Sequence, residues 1–241
     1  MSSELAAQAG AKLGTIGSAF YFAPATVAVG ERMGLDPFQF YAIGRGGVLG
    51  DVESPVVQSA FGYFEATTLA NLWTSARERT APREAGAAFM ECAREFGRDR
   101  FAEIEELDGF CEAARAIVAA VDPAGLALYA ATAAEPLCHD IAGRAMQLAV
   151  VLREYRGSVH LLAVVAECLA PSRAHYLKRP GDYAMFGHTD EPAPATEAER
   201  EAHAAAESRT DAICGEAFAC LDDAHRAVFV AGIDAMSAAL P

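Results

Sequence analysis

The stretch Val159-His160-Leu161-Leu162-Ala163-Val164-Val165-Ala166-Glu167-Cys168-Leu169-Ala170-Pro171-Ser172-Arg173-Ala174-His175-Tyr176-Leu177-Lys178-Arg179 decides the fold class. Its first half is apolar and carries no helix breaker. Ala170-Pro171-Ser172 interrupts it, and a proline at the start of a helix is tolerated because its missing N–H would be unpaired there anyway. The spacing predicts helices over 159–169 and 172–179 joined by a tight turn, which is a helix-turn-helix arrangement. Pro180-Gly181 ends the second helix. Upstream, Gly157 reads as the stop of a helix over 137–156, with Ser158 capping the next. Residues 144–179 hold Arg144, Arg153, Arg156, Arg173, Lys178 and Arg179 against Glu154 and Glu167. The second helix would present Arg173, His175, Tyr176, Lys178 and Arg179, the residue types that a DNA-reading helix uses. Two packed helices with a basic surface fit the same spacing.

Working outward, nearly every long segment reads as helix. Ala, Leu, Glu and Arg dominate the chain, and these are strong helix formers. Residues 181–196, with Gly181, Gly187, Pro192 and Pro194, are the least helical, and a short hairpin-like wing fits best there. Thr196-x-x-Glu199 has the spacing of a capping box and opens a long helix. A last helix fits 222–239. Towards the N-terminus, residues 3–33 have helical apolar spacing, with Pro24 as a break and Gly10, Gly14 and Gly17 available for close helix approach. Gly44-Arg45-Gly46-Gly47 reads as a turn. Ser54-Pro55 opens a helix expected to run to about Thr80. Further helices are expected over 82–106, 109–121, 122–134 and 137–156. The prediction is a mainly α protein: a helical bundle with a winged-helix-like helix-turn-helix unit, and at most a short β wing. A faint likeness between 55–75 and 158–178 leaves a duplication open. The expected division is an N-terminal helical domain, 1–135, and a winged-helix-like domain with C-terminal helices, 136–241.

The chain has 241 residues, 33 acidic against 19 basic side chains and a net charge of -14, and 53% of it is hydrophobic. Such a chain buries a real core, which excludes wholesale disorder. Its charge argues against a basic nucleic-acid coat protein or a polybasic membrane-surface protein, since both depend on clustered Lys and Arg. Met1-Ser2-Ser3-Glu4 has no secretory signal character, and no run is long and apolar enough to span a bilayer. The expected setting is cytoplasmic, without a membrane partner. The cysteines Cys92, Cys111, Cys138, Cys168, Cys214 and Cys220 are scattered, and read as buried thiols. No cluster has metal-ligand spacing and no cofactor motif is present, so no metal and no cofactor are expected.

No nucleophile elbow or P-loop supplies catalytic residues. The polar residues that stand out are Arg45, Asp51, Glu65, His160, Tyr176 and Asp211. Glu65 follows Phe61, Tyr63 and Phe64, and a carboxylate among aromatics needs a cation to stay ionised. Arg45 is the expected partner. One reading is a structural pair tying two helices. The other is a ligand site anchored by Arg45 and Glu65, with Tyr21, Tyr41, Tyr63 and His160, and walls of Phe20, Phe22, Phe40, Phe61 and Trp73.

Several segments carry a family resemblance. Leu152-Arg153-Glu154-Tyr155-Arg156-Gly157-Ser158-Val159-His160, Phe40 to Gly50, Val56 to Phe64, and Glu207 with Thr210-Asp211 together resemble the SalK-like actinobacterial proteins. The resemblance implies a MarR-like winged helix and a setting near natural-product pathways. This chain departs from the family pattern at Val48, where the family has proline, and at Phe64-Glu65-Ala66. Its wing region is acidic, with Asp182, Asp190 and Glu191, whereas a DNA-binding wing is normally basic. Two functions therefore stay open. One is a protein of specialised metabolism that binds a hydrophobic or aromatic small molecule, with cofactor-free catalysis as an extension. The other is a MarR-like transcriptional regulator that binds DNA. A homodimer is expected for either, paired through the first and last helices.

Overall fold

The helix-turn-helix corner forms at 159–179, and its turn has a well-defined cap. In the computed structural model, which describes residues 2–105 and 107–240, helix α9 spans Ile141–Ala166 and α10 spans Pro171–Lys178. Cys168 adopts a left-handed conformation, φ 55°. The Cys168 N–H then donates to Val165 O at 3.0 Å and the Leu169 N–H to Val164 O at 3.2 Å. These are the two bonds of a Schellman motif, and they satisfy the last carbonyls of α9. Leu169 drops into a small apolar cluster with Ala163, Val164, Ala174 and Ala206, which pins α10 in place.

The other helices are α1 (Ser2–Ser18), α2 (Pro24–Arg32), α3 (Pro37–Gly46), α4 (Ser54–Phe61), α5 (Ala66–Arg77), α6 (Pro82–Phe101), α7 (Leu107–Ala120), α8 (Ala127–Ala133), α11 (Glu197–Phe218) and α12 (Asp223–Ala238). No strand occurs among the described residues, so the fold is all-helical. The long α9 lies at the centre and packs against α6, α1, α11 and α7. Trp73, Phe20, Phe40, Phe61, Phe101, Phe110 and Phe229 are among the largest fully buried side chains.

Gly44-Arg45-Gly46-Gly47 is no loop: it closes α3 and opens a 3-10 turn. Three further sequence expectations are corrected. First, α9 runs unbroken through Gly157. One glycine costs about 1 kcal/mol relative to alanine, too little to end a helix buried by its neighbours. Second, the helix opened at Ser54-Pro55 stops at Phe61. Gly62 turns the chain with φ +71°, and a Cβ there would meet Leu161 at 2.4 Å. Glu65 then caps α5 through bonds from the Thr67 and Thr68 N–H groups. Third, the region 181–196 forms no hairpin; it holds 3-10 turns at Pro180–Asp182 and Ala184–Phe186, followed by irregular chain. The prolines and acidic residues of that stretch suit neither strand pairing nor a phosphate-facing wing.

Local capping signals hold. Thr196 and Glu199 form the expected capping box, and Asp222 caps α12. Asp36 and Gln39 make a second capping box at α3. Gly17 does bring α1 close to α9, since a Cβ there would lie 2.9 Å from Ala149 O, whereas Gly14 faces open space. Cys92, Cys111, Cys138 and Cys214 are buried free thiols; Cys168 and Cys220 are exposed, contrary to expectation. Cys168 is exposed because it forms the turn itself. The last residue of the expected 82–106 helix, Glu106, lies outside the described residues, as does Met1.

Candidate ligand cleft

Arg45, in the last turn of α3, does not pair with Glu65. Its Nε and Nη2 donate to the two carboxylate oxygens of Glu154, on α9, at 2.9 and 2.8 Å. Arg153 Nη1 donates to the same carboxylate at 2.7 Å and the Tyr21 hydroxyl donates at 3.3 Å. Glu65 is occupied as a helix cap, which explains why it is unavailable; its two backbone N–H bonds hold it at about 2. Burial alone would raise the Glu154 carboxyl, but the Arg45 and Arg153 guanidiniums outweigh it and bring it to about 2. Arg45 also lies over the Phe61 ring at 4.3 Å and donates to the Tyr41 hydroxyl at 3.0 Å. Two guanidiniums thus share one buried carboxylate, and one positive charge is left over.

That surplus lies in the wall of a cleft of about 620 Å³. Its apolar side is Tyr41, Phe61, Tyr63, Phe64 and Phe186; its cations are Arg45, Arg153, Arg156, Lys178 and Arg179; its carboxylates are Glu207 and Asp211. The volume is in the range typical of small-molecule sites, about 300–1,000 Å³. Phe186, from the region expected to be a wing, packs on Phe64 at 4.3 Å and on His175 at 4.1 Å, so this segment forms one edge of the cleft. Gly14 and Gly157 line it as well, and a Cβ at either would meet no atom within 4 Å. The Tyr63 hydroxyl is buried and has no hydrogen-bond partner. Burial raises its pKa, so it stays protonated at neutral pH and can donate a hydrogen bond.

Of the residues expected at a ligand site, Tyr41, Arg45, Tyr63 and His160 do line this cleft. Tyr21 is buried behind it at the Glu154 carboxylate, and Glu65 is elsewhere. Phe20, Phe40 and Trp73 are core, and Phe22 is exposed. Asp211 reaches the cleft by pairing with Arg156 at 2.9 Å. Two of the helix-turn-helix cations pair with acidic residues of α11, while Lys178 and Arg179 keep exposed side chains. Arg173 forks onto Glu199 at 2.7 and 3.0 Å, and Lys178 meets Glu207. His175 and Arg179 line the cleft, and Tyr176 packs against Tyr183. Burial lowers the His175 imidazole to about 4, so it is neutral at pH 7.

At the edge of the cleft, His160, His203 and Glu207 bring three ligating atoms within 4.8 Å of one another. Spacing did not reveal this set. His203 and Glu207 are one helical turn apart on α11, a pairing legible in the sequence, but His160 joins them only through the α9–α11 packing.

An all-helical protein with a tight helix-turn-helix corner, and beside it an aromatic-walled cleft rich in cations, is the class that fold and site define. Residues 6–189 match the Helix-turn-helix family, and the chain belongs to that family. No curated protein and no solved structure matches it.

Proposed function

We propose that this chain binds an anionic, partly aromatic small molecule in the cleft between α1, α3, α9 and α10. The observation that carries the reading is the surplus of guanidinium over carboxylate in an aromatic cavity, in a chain whose net charge is -14. Charge-assisted bonds to a carboxylate or phosphate ester would neutralise Arg45 and Arg153, with the free Tyr63 hydroxyl as a further donor. The aromatic walls supply apolar contact. The SalK-like resemblance adds the proposed setting, actinobacterial specialised metabolism, and the MarR-like resemblance the winged-helix ancestry of the corner.

A DNA-binding regulator is the second reading, favoured by membership of a helix-turn-helix family. Against it, Arg173 and Lys178 are already neutralised by Glu199 and Glu207, and the region after α10 offers Asp182, Asp190 and Glu191 in place of a basic wing. One experiment separates the two. The protein is titrated with anilinonaphthalene sulfonate, an anionic aromatic probe, and separately with fluorescent random duplex DNA at low salt. Saturable probe binding that weakens in Arg179→Ala, with DNA binding weaker than about 10⁻⁴ M, supports the ligand reading. DNA binding tighter than that, with no saturable probe binding, overturns it.

A further inference from the structure

We propose that His160, His203 and Glu207 form a binding site for a divalent first-row transition metal ion. The site does not depend on the ligand reading, because metal binding is measured with no organic molecule present.

The hydrogen-bond network fixes the donor atom of His160. The Thr210 hydroxyl donates to Ala206 O at 2.7 Å, so its oxygen can only accept from the ring nitrogen of His160 that lies 3.1 Å away. That nitrogen is Nδ1, which must carry the proton. Nε2 therefore presents a lone pair, 3.9 Å from Glu207 Oε1. An imidazole oriented by a hydrogen bond at its far nitrogen is the arrangement that metal-ligating histidines use. The Nε2 of His203 is buried and has no hydrogen-bond partner. Two imidazoles and a carboxylate suit Zn²⁺ and its neighbours, with one position left for water or an exogenous group. Tetrahedral bonds of about 2.0–2.1 Å place ligand atoms roughly 3.4 Å apart, so small rotations of the partly buried His203 and Glu207 side chains towards His160 close the set.

A cation already interacts with these donors. The Lys178 ammonium meets Glu207 Oε1 at 2.5 Å, and its side chain is 45% exposed. Arg156 holds the other oxygen of Glu207 at 3.0 Å, which keeps that carboxylate in place. A metal ion must displace the ammonium, and Lys178 can swing into solvent. Lys178 therefore tunes affinity, since a positive charge at this distance opposes a second one.

The test uses untagged, EDTA-stripped full-length protein in a Cys168→Ser, Cys220→Ser background, which removes the exposed thiols. Zn²⁺ is titrated by calorimetry, and circular dichroism checks the fold of each variant. One saturable Zn²⁺ per chain is expected. His203→Ala should weaken it at least ~10-fold and Lys178→Met should tighten it at least ~10-fold. No saturable binding in the parent protein overturns the proposal, and so does His203→Ala binding as tightly as the parent. Binding confined to Lys178→Met overturns it too, because Lys178 would then be the natural occupant.

Discussion

Gly157 sits in the middle of α9, the central helix, where a glycine costs stability and gains nothing from neighbouring protein. A helix-interior glycine is less stable than alanine by about 1 kcal/mol. The usual reason to keep one is close packing, as at Gly17, yet a Cβ on Gly157 meets no atom within 4 Å. The space it leaves belongs to the cleft. Gly157→Ala should therefore stabilise the fold by about 1 kcal/mol, raising the melting temperature by roughly 2–4 °C for a chain of this size. Gly157→Leu should keep most of that gain, because leucine is also a strong helix former, while its side chain fills the cleft and blocks anilinonaphthalene sulfonate. The assay is thermal melting and probe titration on the same preparations. A variant that is more stable but no longer binds is an unusual combination, and ordinary core damage cannot produce it. Melting lowered by several degrees in Gly157→Ala would refute the open geometry at this position. Undiminished probe binding in a well-folded Gly157→Leu protein would refute the cleft as the binding site.

Other expectations follow from the same contacts. Glu154→Gln leaves Arg45 and Arg153 facing a neutral group, and breaking a buried pair costs about 3–5 kcal/mol, measurable by urea denaturation. Glu65→Ala removes a helix cap instead and should lower the denaturation midpoint less than Glu154→Gln does. The Glu154 carboxyl is held at about 2, below its ordinary value of 4.5. The unfolded chain thus binds its proton first, so this contribution to stability is complete above pH 4.5 and is lost as pH falls towards 2. Melting curves between pH 2 and 6 should show a weaker acid dependence in Glu154→Gln than in the parent. A thiol reagent should modify Cys168 and Cys220 rapidly in the native protein and the four buried cysteines only after unfolding. Light scattering tests the proposed homodimer, for which Val228 and Val230 on α12 offer exposed apolar surface.

The parts of the fold legible in the sequence are those written in neighbouring residues. Thr196 with Glu199, and the Ala170-Pro171 entry to α10, each specify a helix end within one turn of chain, and each is found. Gly157 and Gly62 show where local reading fails. Both are glycines in helical surroundings, but only Gly62 has a positive φ, and a Cβ there would meet Leu161. Neither outcome is decided by the residues beside it in sequence. The same holds for Arg45. Glu65 lies near it in sequence and among aromatics, but the carboxylate that reaches it is Glu154, 109 positions away. The helix-turn-helix cations were legible as a cluster, but Glu199 and Glu207 of α11, which pair with Arg173 and Lys178, come from a separate segment. The aromatic segments signalled apolar surface correctly, and the packing of α3 on α5 and α6 decided which rings became core and which became cleft wall.

The most direct test of the cleft compares two ligands that differ by one charge. Naphthalene carboxylate and its neutral carboxamide have nearly the same shape and the same apolar surface. Calorimetric titration should show the carboxylate binding at least ~10-fold tighter, since a hydrogen bond to a charged group contributes about 1.5–3 kcal/mol. The preference should shrink as salt is raised, because Lys178 and Arg179 are exposed to screening. Equal affinity for the two, or binding of neither, would contradict a cleft built to hold an anion.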